Sequence, residues 1–531
     1  MNKRVNLLFI IALFFSAVEV HADWKKYESD SFVIISDERE RSVIKWANDL
    51  ETVRSLAELL FQVRAPTASE SKLIIFIFNK NKDYSDLLDT SNVAGFYYQG
   101  INQPYMVIGP RSQQEVLFHE FTHYLTSYRS NAQTPTWLEE GLAETLSTVS
   151  VNFDEVKFGG APNRISGFET HGGRPIPLAR LLSDIYETDR TKANAYYATA
   201  WVFYKLIWMS DDEDLDAAFS NYLEVYRSGE RDPEILAGSF STSSDDMDQR
   251  ISRVARRPRG TVLEAIYELP LNKVRPETIE LKKTDLTDND FYTAIAPFLL
   301  DIKNYDKINQ FLNPENSRDR PLSNAFYALA RDETLSIERD YMENLVGITD
   351  PNLEEYLSVY SQKEQSRYYS LLSRYFYPEY LEASYDFAQQ AIVLDSANVE
   401  ALLKLCLISL KRREFSSAKS YIDQAASLSI QNDEVIGISA LASLLLGDQD
   451  LLKKSTDQWK SYFKHNENAS DYSETISLFY NVGTEFIKAD LIENTPVESD
   501  VVEDILRAGS GVRFYDLSGL KPFLQVVLEK I

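Results

Sequence analysis

His119 and His123, four residues apart and with Glu120 beside the first, are the residues of this chain whose types and spacing can most readily do chemistry. Positions i and i+4 of an α-helix share one face about one turn apart, so the two imidazoles can hold a single zinc ion. Three protein ligands leave a fourth position for water. Zinc lowers the pKa of that water to about 7, and Glu120 is a carboxylate placed to take its proton. Two of the chain's five histidines lie in this motif, which weighs against a surface helix that carries them by chance. A third ligand is required, and Trp-Leu-Glu-Glu-Gly-Leu-Ala-Glu at 137–144 offers Glu140. Glu144, one turn beyond Glu140 on the same face, can accept a hydrogen bond from the outward N–H of a zinc histidine and fix its tautomer.

These residues need two helices to hold them. Ser112 and Glu115 follow Pro110 as an S-x-x-E capping box that starts the His-bearing helix, and Leu117 and Phe121 give it a face to bury. Thr136 is expected to cap the second helix with Glu139 as its partner, which leaves Glu140 for the metal. Upstream, residues 31–36 read as a strand, and Val43, Trp46, Ala47, Leu50, Val53, Ala57 and Leu60 recur at helical spacing after it. Lys72–Phe78 reads as a more buried strand. Segments 94–98 and 104–108 read as a hairpin turning around Gly100, Asn102 and Gln103 and leading into the His-bearing helix. A Gly-, Asn- and Pro-rich segment at 159–177 precedes helical patterns to about residue 268, and the Pro, Thr, Lys and Asp content of 269–289 suggests a domain boundary.

At 531 residues the chain exceeds a single compact core, so two or three domains are expected. Lys3 and Arg4 before an apolar run from Leu7 to Val18, then Val20-His21-Ala22, predict an export signal cleaved near Ala22 rather than a membrane anchor, since the run is shorter than the roughly 20 residues a spanning helix needs. A net charge of −26 repels nucleic-acid phosphates and anionic lipid, so neither is an expected partner. Cys406 is the only cysteine; no internal disulfide can form, and a bacterial periplasm suits such a chain.

Beyond residue 289 nearly everything is helical. Phe387, Gln390, Ala391 and Leu394 align with Tyr421, Gln424, Ala425 and Leu428 at the tetratricopeptide period of about 34 residues. The pair of helices at 399–429 resembles such a repeat, with Leu402, Leu405 and Cys406 on its first helix and Ala418 and Ala425 on its second. Its neighbours are degraded: Ser396 stands where proline is usual, and Leu452 where alanine is expected. An unrelated array of helical hairpins is the alternative.

His119-Glu120-x-x-His123 followed by Trp137-Leu138-Glu139-Glu140-Gly141-Leu142-Ala143 resembles the gluzincin metallopeptidases, above all the aminopeptidase-N-like branch with its W-L-N-E-G-F-A motif; Glu139 replaces the Asn and Leu142 the Phe. Over residues 24 to about 260 the chain looks like the peptidase MA-like domain of exported bacterial proteins, which is often joined to tetratricopeptide repeats. The resemblance implies an α+β, thermolysin-like catalytic domain, with one zinc ion on His119, His123 and Glu140 and with Glu120 as general base. It also implies an oxyanion stabiliser further along the chain, for which Tyr197 is the candidate and Tyr196 and His171 are rivals; a tyrosine among helical aromatics also serves core packing. No Gly-x-Met-Glu-Asn strand precedes His119, and Met342-Glu343-Asn344 lies far downstream in a helical stretch, so exopeptidase specificity is not supported. The hairpin at 94–108 offers an edge on which an extended peptide can pair.

The expected layout is a signal peptide at 1–22, a gluzincin-like domain at 23–268, a linker and helical segment at 269–370, tetratricopeptide-like repeats at 371–465 and a helical C-terminal segment at 466–531. The expected function is an exported, periplasmic zinc metallopeptidase acting on peptides or proteins, with the repeats binding a protein partner. The rivals are a zinc-holding scaffold with little turnover, against which Glu120 argues, and a hydrolase of some non-peptide amide.

Overall fold

In the computed structural model of the protein the described residues are 24–531 except 62–71, 89–92, 111–113, 128–133, 164–173, 183–189, 209–211, 229, 231, 241–243, 257–261, 276–278, 313–319, 336–342, 344–345, 430–431, 464–468, 490–500 and 515. The expected signal peptide, Ser112, His171, Met342 and Asn344 lie outside them.

The chain opens with β1 (Lys25–Glu28) and β2 (Phe32–Ser36), then α1 (Glu40–Phe61), β3 (Leu73–Ile77), α2 (Asn81–Leu88), β4 (Gly95–Gln99) and β5 (Pro104–Ile108). Next come α3 (Gln114–Ser127), α4 (Thr136–Ser147), a short hairpin of β6 (Ser150–Asn152) and β7 (Glu155–Phe158), α5 (Leu178–Leu182) and α6 (Arg190–Trp208). Helices α7 (Glu213–Arg227), α8 (Pro233–Gly238) and α9 (Ser244–Arg256) follow, and then β8 (Tyr267–Pro270), α10 (Leu271–Val274) and β9 (Lys282–Asp285).

The main sheet has six strands in the order β4-β5-β3-β2-β1-β9. Strands β2, β3 and β5 run parallel, while β4, β1 and β9 pair antiparallel to their neighbours. Every residue of β2 and β5 is buried, as expected of strands covered on both faces. Alternation along the strands sends Phe32, Ile34, Leu73, Ile75, Met106 and Ile108 to one core, which they share with α1, α3, α4 and α6. Val33, Ile35, Phe76, Tyr105 and Val107 point the other way.

That second face draws on residues beyond 23–268. It is covered by α11 (Asp288–Asp301), α12 (Tyr305–Phe311), α13 (Pro321–Leu335), α14 (Leu353–Leu357) and α15 (Gln362–Phe376), with Phe291, Ile295, Phe298 and Leu372 in the shared core. The core therefore does not end at residue 268, because strands apolar on both faces need two helical layers and the second comes from 288–376. The 269–289 stretch is likewise no free linker. β8 extends the small sheet β6-β7-β8, and β9 adds to the free side of β1. All four residues of β9 are exposed, Lys-Lys-Thr-Asp, a charged edge strand with no apolar period to announce it.

The rest is entirely helical among the described residues: α16 (Leu381–Leu394), α17 (Val399–Lys411), α18 (Phe415–Leu428), α19 (Asp433–Leu446), α20 (Gln449–Tyr462), α21 (Ala469–Lys488), α22 (Val501–Gly509) and α23 (Leu520–Lys530). Leu402, Leu405, Cys406, Ala418 and Ala425 are all buried between them. The period of about 34 residues recurs in the turns as well as in the apolar positions. Asn398 and Asn432 cap α17 and α19 with their side chains, and Arg413 (φ 59°) and Gly447 (φ 65°) take left-handed conformations after those same helices. Among the described residues no helix is long and apolar enough to cross a membrane. The molecule is thus a mixed α/β body with a small sheet and a long all-helical C-terminal region.

Candidate metal centre

α3 is buried almost all round. Leu117 and Phe121 enter the core as the spacing requires, His119 and Glu120 are buried too, and His123 is half-buried. α4 lies against α3 and presents Glu140 and Glu144, both buried. Its start differs from expectation: Pro135, not Thr136, is the N-cap, and its carbonyl accepts from Leu138 and Glu139 N–H. Proline fixes the backbone for helix entry, so Thr136 falls inside the first turn and is buried. Glu115, the expected capping partner of Ser112, accepts a hydrogen bond from the backbone N–H of Asn163.

Gly141 explains how a third helix joins the site. A Cβ there would lie 2.5 Å from Tyr204 Cβ and 2.8 Å from the Ala200 carbonyl oxygen, so only glycine lets α4 and α6 approach this closely. Trp137 anchors the same helix, donating its indole N–H to the Tyr222 hydroxyl on α7 at 2.9 Å. The close approach brings Tyr197 of α6 to His119, their rings edge-on with centroids 5.9 Å apart. Tyr196 turns elsewhere: it is buried, and its hydroxyl donates to the Leu181 carbonyl at 3.5 Å.

At the centre three atoms form a triangle. His119 Nε2 lies 3.2 Å from His123 Nε2 and 3.2 Å from Glu140 Oε2, and His123 Nε2 lies 3.6 Å from the same oxygen. A tetrahedral zinc site with bonds of about 2.0–2.1 Å has edges of about 3.3–3.4 Å, so these atoms sit at the separations of three ligands around one ion. Glu140 Oε2 is buried without a hydrogen-bond partner, as an oxygen awaiting a cation would be. Among the described residues this is the one group of three such side chains close enough to share an ion. On the far side of the ring, His119 Nδ1 lies 3.2 Å from Glu144 Oε1, at ion-pair distance.

The charges agree with this arrangement. Burial acts to raise the Glu140 pKa, but His123 and His119 outweigh it and hold the carboxyl far below the usual carboxylate range. Burial acts to lower the His123 pKa, and the facing Glu140 carboxylate reverses the sign and leaves it raised. The site is an anionic carboxylate facing two imidazoles, a donor set suited to a borderline-soft divalent ion.

One contact could not be read from the sequence. The backbone N–H of Tyr97, on β4, donates to Glu120 Oε2 at 3.1 Å. Main-chain donors leave no trace in residue type, although the hairpin that supplies this one was legible. Comparison with known families finds no family model that matches the chain, and comparison with curated proteins finds no match either.

Proposed function

We propose that the chain is an exported, periplasmic zinc metallopeptidase of the gluzincin type, with one zinc ion held by His119, His123 and Glu140. The observation that carries this reading is the triangle of ligand atoms with Glu120 one residue from a ligand and held by the sheet edge. A zinc ion there supplies Lewis-acid activation of water and of a substrate carbonyl. Tyr97 N–H occupies one Glu120 oxygen, so the other is the one that takes a proton from the attacking water and returns it to the departing amine. Glu144 steadies His119 from behind. Tyr197, against the face of the site formed by His119, is the candidate to donate to the developing oxyanion.

The substrate surface is the outer edge of β4. Gly109 N–H donates to the Ala94 carbonyl, so Ala94, Phe96 and Tyr98 pair with β5, and Gly95, Tyr97 and Gln99 turn their backbone groups outward. The Tyr97 N–H is taken by Glu120, so an extended peptide would pair with the outward groups on either side of it and run past Glu120, which favours a peptide or protein substrate over a small amide. The helical repeats of the C-terminal region are the proposed surface for a protein partner.

Glu120→Gln tests the reading. The variant is expected to bind zinc stoichiometrically while losing at least about a hundredfold in cleavage of a peptide library or unfolded protein. Absence of stoichiometric zinc in the wild type sinks the proposal, and equal cleavage by both proteins, or none by either, favours a scaffold.

A further inference from the structure

The β4–β5 hairpin touches both the candidate site and the helical region. In the middle of β4, Tyr97 N–H donates to Glu120. The hairpin tip, residues 100–103, is bound by two helices outside the site. Asp301, the last residue of α11, accepts the Ile101 N–H with Oδ2 at 3.1 Å and the Tyr98 hydroxyl with its carbonyl at 3.3 Å. Asn102 Oδ1 accepts the backbone N–H of Glu400 at the start of α17, at 3.2 Å. Ile101 is buried in the apolar core of the repeat helices.

The fit is close enough to leave no play. A Cβ on Gly100 would lie 2.3 Å from Asp301 Oδ2 and 2.7 Å from the Gln103 carbonyl. Along the hairpin, Phe96, Tyr98 and Tyr105 pack around Phe298 of α11, with ring centroids 5.9, 5.9 and 5.6 Å away. Tyr97, in the middle of β4, stands four residues before Ile101 in the turn, so a displacement of the tip has only the last two residues of the strand to cross.

We propose that Asp301 and Asn102 are positioning residues for Glu120: by fixing the hairpin tip to α11 and α17 they hold the Tyr97 N–H that aims the Glu120 carboxylate. This rests on the reading of Glu120 as the proton acceptor. Whatever moves α17, including a partner bound to the repeats, then changes the aim of Glu120 without touching the metal ligands.

The test uses the full chain and two readouts, backbone amide exchange at Tyr97 and the kinetics of peptide cleavage. Asp301→Ala and Asn102→Ala are expected to speed exchange at Tyr97 about tenfold, the effect of losing one buried hydrogen bond. Each is also expected to lower kcat with KM and zinc content unchanged. Asp301→Asn keeps an acceptor oxygen and is expected to restore both. If Asp301→Ala does not fold, Asn102→Ala decides, since it removes one contact to a single helix N-terminal N–H. Faster exchange at Ile101 with none at Tyr97, or a wild-type kcat despite faster exchange at Tyr97, overturns the proposal. Should the wild type cleave nothing, the peptidase reading fails while exchange at Tyr97 still decides whether the tip holds that N–H.

Discussion

Replacing Gly141 by alanine separates a packing role from an ordinary helix preference, because the two have opposite signs. In the middle of a helix, Gly→Ala is normally stabilising by up to about 1 kcal/mol. Here the added carbon would stand 2.5 Å from Tyr204 Cβ and 2.8 Å from the Ala200 carbonyl oxygen, neither of them the end of a flexible side chain. Carbon–carbon contacts rest at about 3.5–4.0 Å, so α4 and α6 must separate by about 1 Å. Overpacking of this kind costs about 1–3 kcal/mol. Set against the propensity gain, the net result is a loss of up to about 2 kcal/mol. The separation also acts at the site: Tyr197 and Tyr204 are seven residues apart, two turns along one face of α6, so the clash at Tyr204 draws Tyr197 away from His119. Urea unfolding of zinc-loaded G141A should therefore show a lower midpoint with an unchanged slope, and cleavage should fall in kcat. A variant about 1 kcal/mol more stable than wild type with full activity would refute both the close approach and its part in placing Tyr197.

Two further outcomes follow from side chains near the site. Glu144→Gln weakens the support behind His119 and is expected to reduce zinc affinity about 10- to 100-fold in a chelator competition, with the secondary structure intact; unchanged affinity would show that the 3.2 Å contact to His119 Nδ1 does not serve the metal. Lys205 on α6 is fully buried, donates to the carbonyls of Gly159 and Ala265 at 2.5 and 2.9 Å, and is pushed down to about 8 by burial. A lysine with a depressed folded pKa binds fewer protons folded than unfolded between about pH 8 and 10.5, so stability should rise with pH across that window, by about 3 kcal/mol at most. Lys205→Met should remove that rise when unfolding free energies are compared at pH 7.5 and 10, and a rise that persists in the variant would assign it to other groups.

The His119-His123-Glu140 cluster was legible because metal ligation constrains residue type and spacing together. Two histidines one helical turn apart and two glutamates one turn apart on a second helix need only pack face to face, and His119 stands 3.2 Å from both Glu140 and Glu144 in the fold. The central strands were legible because Phe32–Ser36 and Leu73–Ile77 are apolar runs bounded by polar turns. β9 was not, since an edge strand of Lys-Lys-Thr-Asp carries no apolar period. The composition at 269–289 marks a change of local structure, whereas membership of a core depends on which surfaces must be covered, so the helices at 288–376 that share the sheet's core could not be read from it. The left-handed turn at Arg413 escaped notice because its equivalent position, 447, holds the glycine that such a conformation favours.

The sandwiching of the sheet also bears on what the helical region is for. A separately tethered repeat array could bind a partner without consequence for residues 119–144. Here α11 covers one face of the sheet while α3 is packed on the other, and β4 lies at the margin where both are reached: Phe96 and Tyr98 against Phe298, Tyr97 N–H on Glu120. The strand proposed to offer its edge to a peptide is the one that leads into the tip bound to Asp301 and to α17. Any load on the helical region would reach the proposed substrate edge and the candidate base through β4, which also packs on α3, the helix of His119 and His123. On the proposed reading, a partner bound to the helical region changes turnover with zinc content unchanged, the separation of kcat from metal content that variants at the hairpin tip would reveal.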